Sequence, residues 1–357
     1  MTPTFSIYLE VVRIMATLIV FIAHGSSFYK PLADLNEVAK LGRDGVIIFF
    51  VLSGYVISWC ANEKEKLPFN FAINRAARIY SVAIPAILLG AASSLFVTFY
   101  TGSHEIEYPL HKPWIYLPIY LSFVGNFWNL SEVPPQNFPY WSLNFEVWYY
   151  VIFAIFFYVR SNLRWPLVFG LLLLIGPSLI QLLPLWIAGS ALYFFREKIK
   201  IQTIFARWLL VFSISAFLFI KAFSLDAALD QYNVILWKFL FDSQTPPPQL
   251  LGDYLICFIV VTNFIAALNS NLSFGKKTAQ RIKYIASFSF SFYLFHIPIF
   301  GIFLAVFPEN DAILGYASIM ISTTIIIMFL AKYTEHKKHV YRSIFAKLGS
   351  YPQSWQK

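Results

Sequence analysis

Apolar runs, each interrupted by a few polar side chains, recur along nearly the whole 357-residue chain. They lie near residues 7 to 27, 45 to 60, 78 to 100, 140 to 159, 165 to 180, 183 to 195, 206 to 223, 253 to 271, 284 to 306 and 312 to 333. A helix needs about 20 residues to cross a bilayer upright, so the long runs predict transmembrane helices and the short ones short or irregular helices. The expected fold is an all-α integral membrane protein with about ten transmembrane helices. No hydrophilic block is long enough for a separate soluble domain, and no internal repeat stands out. A single transmembrane domain over residues 1–345 and a short tail over 346–357 are expected.

Composition agrees with that pattern. Hydrophobic residues make up 58% of the chain and charged residues 13%, against about 25% charged in soluble domains. Aromatic residues, at 19%, supply lipid-facing bulk and interfacial anchors. Cys60 and Cys257 both fall in apolar segments without metal-ligand spacing and read as small buried hydrophobes, with no disulfide or metal expected.

The formal charge of +9 reads as topology rather than as a nucleic-acid footprint. With a cytoplasmic N-terminus, the outer connections hold six basic residues: Lys30, Lys40, Arg43, Lys112, Lys221 and Lys238. Arg13 lies inside the first span. The other 20 of the 27 lysines and arginines fall on the inner side. That asymmetry supports ten spans with both termini in the cytoplasm. The region before Arg13 contains Glu10 and no other basic side chain, and no A-x-A site follows, so the first run reads as an uncleaved helix rather than a signal peptide.

Two outer connections are long, residues 101 to 139 and 224 to 252. The first contains an aromatic stretch, Trp114 to Trp128, broken by Pro118. It is expected to re-enter or lie along the interface, because an eleventh span would destroy the charge asymmetry. The second carries Thr245 to Pro248, a stiff polyproline-like turn.

Polar residues inside the runs carry the candidate chemistry. Arg13 and His24 are eleven residues apart, about 16 Å along a helix and within roughly 20° of one face, with Glu10 and Thr17 on the same stripe. Singly, Arg13 could be a structural partner of Glu10, and His24 an interfacial histidine. Together on one face of a membrane helix they mark a site. Ser53-Gly54 removes bulk within the second run, where a helix or a ligand could approach. Arg75 and Arg78 stand one turn apart at the cytoplasmic boundary, either as positive-inside anchors or as a guanidinium pair for an anionic ligand. Glu146 lies about 9 Å inside its helix, too deep for free solvation, beside Trp141 and Ser142. His296 falls near mid-membrane, with Ser291 and Tyr293 close by. His104, His111, His336 and His339 show no metal spacing and are given no role.

These segments resemble the membrane-bound acyltransferase-3 family of bacterial O-acyltransferases. Arg13, ten residues, then His24 reproduces its R-x10-H signature. LEVVR, GVIIFFVLSGYVIS, NRAARIY, YWSLNFEVWYY and FYLFHIPI follow the family's motifs in order over most of residues 7 to 300. Ile47 replaces an acidic residue common in the family, Ser81 replaces a proline after RIY, and the terminal E-x-P element is reduced to Glu335 followed by His336. The chain resembles the stand-alone class, without an SGNH esterase-like domain.

The resemblance implies a polytopic enzyme of the bacterial inner membrane. It would move acetyl from cytoplasmic acetyl-CoA to a hydroxyl of a polysaccharide (exopolysaccharide, lipopolysaccharide or capsule) or of its lipid-linked precursor. His24 is the expected general base, or a covalent acetyl-histidine relay. Glu146 would orient His24 or bind the acceptor. Arg13, held by Glu10, would meet CoA phosphate or developing charge, with Arg75, Arg78 and Ser53 on the donor side. Trp141, Ser142, Tyr293 and His296 would support the substrates. The lipid bilayer and a glycan are the expected partners, nucleic acid is not, and a homo-oligomer is left open. The rival class is a secondary transporter or glycan flippase, whose inverted repeats with paired broken helices are not visible here.

Overall fold

The computed structural model describes residues 1–26, 36–102, 112–233, 249–307 and 313–348. The helices are α1 (Pro3–Gly25), α2 (Asn36–Trp59, running into a π-turn Cys60–Lys64), α3 (Pro68–Thr101), α4 (Pro113–Ser122) and α5 (Tyr140–Tyr158). Then come α6 (Arg164–Ile175), α7 (Pro177–Ile180), α8 (Leu183–Phe195), α9 (Thr203–Ala222) and α10 (Leu225–Asp230). The last are α11 (Leu250–Asn269), α12 (Lys276–Ala286), α13 (Ser289–Val306), α14 (Ile313–Tyr333) and α15 (Lys338–Leu348). Among the described residues there is no strand.

Every apolar run read from the sequence is helical. Seven helical stretches are long and apolar enough to cross a membrane: Pro3–Gly25, Val38–Lys64, Pro68–Thr101, Thr203–Ala222, Leu250–Asn269, Lys276–Val306 and Ile313–Lys347. The runs at 165 to 180 and 183 to 195 form the shorter helices α6 to α8, and α5 has 19 residues. The chain is a multi-pass membrane protein. Its outward faces carry bare apolar side chains, Phe99 (90% exposed), Leu314 (79%) and Trp208 (67%) among them, as expected where lipid rather than water is the solvent.

Since lipid supplies little hydrophobic drive between helices, close backbone approach must hold them. At the α2–α8 crossing, a Cβ on Gly54 would sit 2.0 Å from the Trp186 carbonyl oxygen, and one on Gly189 would sit 1.9 Å from that of Val51. Each glycine is the hole for the other helix's backbone. Ser58 and Ser190 seal the crossing with a hydroxyl–hydroxyl bond of 2.7 Å.

The aromatic stretch from Trp114 becomes the ten-residue α4, too short to span, followed by irregular backbone to Pro139. That backbone is bonded into the bundle: Trp128 Nε1 donates to Leu174 O at 3.1 Å, and Asn137 Nδ2 donates to Leu294 O at 3.0 Å. The latter bond has a specific cause. Pro298 has no N–H for the carbonyl four residues before it, and Asn137 satisfies that carbonyl instead. A 3-10 turn, Glu335–Lys337, leads into α15, which lies on α3 with Phe345 against Tyr80 (ring centroids 5.8 Å apart). The Thr245–Pro248 turn, His104 and His111 lie outside the described residues.

Candidate active site

α1 packs beside α2, α12 and α13 and delivers its polar stripe to the bundle interior. At its C-terminal end, His24 Nδ1 lies 2.7 Å from His296 Nε2, with the two rings parallel within 5°. His296 Nδ1 in turn lies 2.7 Å from the Phe292 carbonyl oxygen. A carbonyl can only accept, so His296 holds its proton on Nδ1 and accepts on Nε2. His24 then donates from Nδ1, which places the lone pair of a neutral His24 on Nε2. Beside that nitrogen is Gly42, where an added Cβ would stand 3.3 Å from Nε2. Phe138, next to the Asn137 anchor, puts its ring 4.8 Å from the imidazole of His24.

Nearer the N-terminal end of α1, side chains of α1, α2, α3, α5 and α13 line a cavity of about 100 Å³. Arg13, Arg75 and Arg78 line it together with Ser53, Glu146 and Tyr150. Ser53 Oγ donates to Glu146 Oε1 at 2.6 Å, and the Tyr150 hydroxyl donates to the same oxygen. Trp186 Nε1 backs Ser53 at 3.3 Å. Tyr293 joins this cavity to the histidine pair: its hydroxyl is 2.6 Å from Ser142 Oγ, and its ring is 6.5 Å from that of His296.

The arrangement revises several expectations. Glu146 does not orient His24; that position belongs to His296, and the carboxylate is held by Ser53 and Tyr150. α5 turns this carboxylate to the arginine-lined cavity. Arg13 pairs with Glu10 at 2.6 Å, as the i,i+3 spacing suggests. Arg75 and Arg78 do not act as an equal pair. Arg75 is bound to Glu65 at 2.9 Å, while Arg78 lies over Phe290 with 5.9 Å between guanidinium and ring centre. Trp141 lies under Arg43 (6.0 Å) and against Phe145 rather than along the cavity. Cys60 and Cys257 are both free thiols.

Some members of the site were missed in the sequence. Tyr150 is four residues after Glu146 and so on its face, a signal that was present. Glu65 had no local signal, whereas Glu335 stands at the reduced E-x-P element. Glu335 is buried and accepts from Ser291 N and Oγ, both at 2.9 Å, which pins the start of the helix bearing Tyr293 and His296.

Chemically, the site offers an oriented imidazole and, in the neighbouring cavity, a carboxylate with a group of guanidiniums. Buried Arg75 Nε lacks a hydrogen-bond partner, and Arg75 lines a cavity together with Arg13 and Arg78, a set of guanidiniums suited to phosphate oxygens. The comparisons with known proteins agree in direction. One curated relative is the exopolysaccharide production protein ExoZ of Rhizobium meliloti (strain 1021), 29% identical over 136 residues. That match covers 37% of this chain and 40% of ExoZ, well under two thirds of the relative. No solved structure matches. Residues 6–332 match the family model described as an acyltransferase domain, which is most of the chain, and the protein belongs to this membrane-bound acyltransferase-3 family.

Proposed function

We propose that this protein transfers an acetyl group from cytoplasmic acetyl-CoA to a hydroxyl of a cell-surface polysaccharide or its lipid-linked precursor, in the bacterial inner membrane. One observation carries the reading: the cavity walled by Arg13, Arg75 and Arg78 is also lined by Tyr293, whose ring lies 6.5 Å from that of His296, the partner of His24. Family membership and the exopolysaccharide context in the name of ExoZ support the substrate class.

In the reaction, the acceptor oxygen attacks the thioester carbonyl while His24 Nε2 takes its proton. The new C–O bond forms, the C–S bond breaks, and the CoA sulfur leaves with the electron pair and takes the proton from the His24 imidazolium, which returns to neutral. His296 holds the His24 tautomer and shares the charge of the imidazolium. Arg13 lies about 16 Å along α1 from His24, so the phosphates stay among the guanidiniums while an extended arm brings the thioester to the imidazole. Glu146, fixed by Ser53 and Tyr150, accepts hydrogen bonds from an incoming substrate.

The test incubates membranes carrying the protein with labelled acetyl-CoA and cell-envelope glycan. Label is expected in the glycan, and His24→Ala should reduce transfer by roughly 10²- to 10⁴-fold while leaving insertion intact. His296→Ala should give a smaller loss. Undiminished labelling by the inserted His24→Ala protein would remove the imidazole from the mechanism. Glycan translocation without donor consumption would replace the enzyme with a transporter.

A further inference from the structure

A second cavity opens at the end of the bundle expected to face the cytoplasm, where Arg13 and Arg78 line both it and the central cavity. Lys283 from α12 and Lys338 from α15 complete its cationic wall. Its two carboxylates are already committed, Glu10 to Arg13 at 2.6 Å and Glu335 to Ser291. His336 Nε2 is 3.0 Å from Ser287 Oγ. Among the described residues, no carboxylate lies within ion-pair distance of Arg78, Lys283 or Lys338.

Three separate segments, α3, α12 and the C-terminal helix, thus join Arg13 of α1 in bringing four cations against two carboxylates to a single opening, and Arg78, Lys283 and Lys338 each lack a direct ion-pair contact there. Topology asks only that lysines lie on the inner side. It does not ask them to converge, and convergence of like charges is unfavourable until an anion enters. We propose that this mouth is a phosphate subsite holding the nucleotide end of the acyl donor, with Lys283 and Lys338 as ligands and the C-terminal helix as a required wall. The inference rests on the acyl-CoA reading above. An anionic phospholipid headgroup offers the same chemistry from another source.

The experiment uses the full chain in nanodiscs of zwitterionic lipid alone and with added phosphatidylglycerol. Binding of adenosine 3′,5′-bisphosphate is measured for the wild type and for the Lys283→Gln, Lys338→Gln double variant, with acetyl-CoA turnover in parallel. Loss of two charge-assisted contacts should weaken bisphosphate binding and raise the KM for acetyl-CoA by about tenfold or more, with kcat held. A thermal melt confirms that both proteins are folded. Equal bisphosphate affinity in the two proteins, or binding of phosphatidylglycerol in place of the bisphosphate, overturns the proposal. Failure of the enzyme reading looks different: the wild type consumes no acetyl-CoA, yet bisphosphate binding still depends on the lysines.

Discussion

Two charged regions of this membrane protein are built from the same side chains and differ in whether the charges cancel. In one, joining α2, α9, α10 and α11, Arg43 grips Asp253 through two bonds of 2.7 and 2.5 Å. Lys221 there sits between Asp44 at 2.9 Å and Asp226 at 2.6 Å. In the other, at the opposite end, Arg78, Lys283 and Lys338 face a common opening where cations outnumber carboxylates and none of the three makes a direct ion pair among the described residues. The first region is a clamp between helices, its ions satisfied by one another. The second leaves charge available for something that enters. Pairing, rather than charge as such, separates a structural cluster from a binding one in a low-dielectric setting.

The largest expected effect comes from breaking the clamp. Asp253→Ala strands the Arg43 guanidinium against a wall of buried groups, and unfolding stability in detergent should fall by about 3–5 kcal/mol. Little change in the melting temperature would make the clamp a bystander. A smaller effect should follow from removing both partners at once: Arg43→Met with Asp253→Leu should restore most of that loss, because neither charge is left alone. A double variant as unstable as Asp253→Ala would mean that the ions hold a geometry apolar packing cannot replace. The smallest stability effect belongs to the mouth. Lys338→Gln should stay within about 0.5 kcal/mol of the wild type, while its donor affinity drops and loses part of its salt dependence. Destabilisation by Lys338→Gln comparable with that of Asp253→Ala would erase the distinction between the two regions.

The contrast also marks what was legible before the fold was known. Arg43 and Lys221 entered the charge count as outer-loop cations, yet Arg43 lies within α2 and Lys221 in the last turn of α9, both turned inward. Asp253 drew no notice because an aspartate at the start of an apolar run looks like an ordinary boundary residue. Lys283 and Lys338 read as topological lysines for the same reason. His24, Arg13 and Glu146 stood out because each sits inside a run where a polar group is expensive.

The amino-acid order by itself determined the helical, membrane-embedded character, the positions of the apolar runs and the sharing of a face by Glu10, Arg13 and His24, since helix periodicity and the cost of burying charge act within one segment. Only the tertiary structure decided that His24 meets His296, 272 residues away, that Glu65 takes Arg75 and that Glu146 turns to Ser53 and Tyr150. Those choices depend on how helices rotate and slide against one another. That is set by contacts such as the Gly54–Gly189 crossing and the bond from Asn137 to the carbonyl that Pro298 leaves open, which no local pattern encodes.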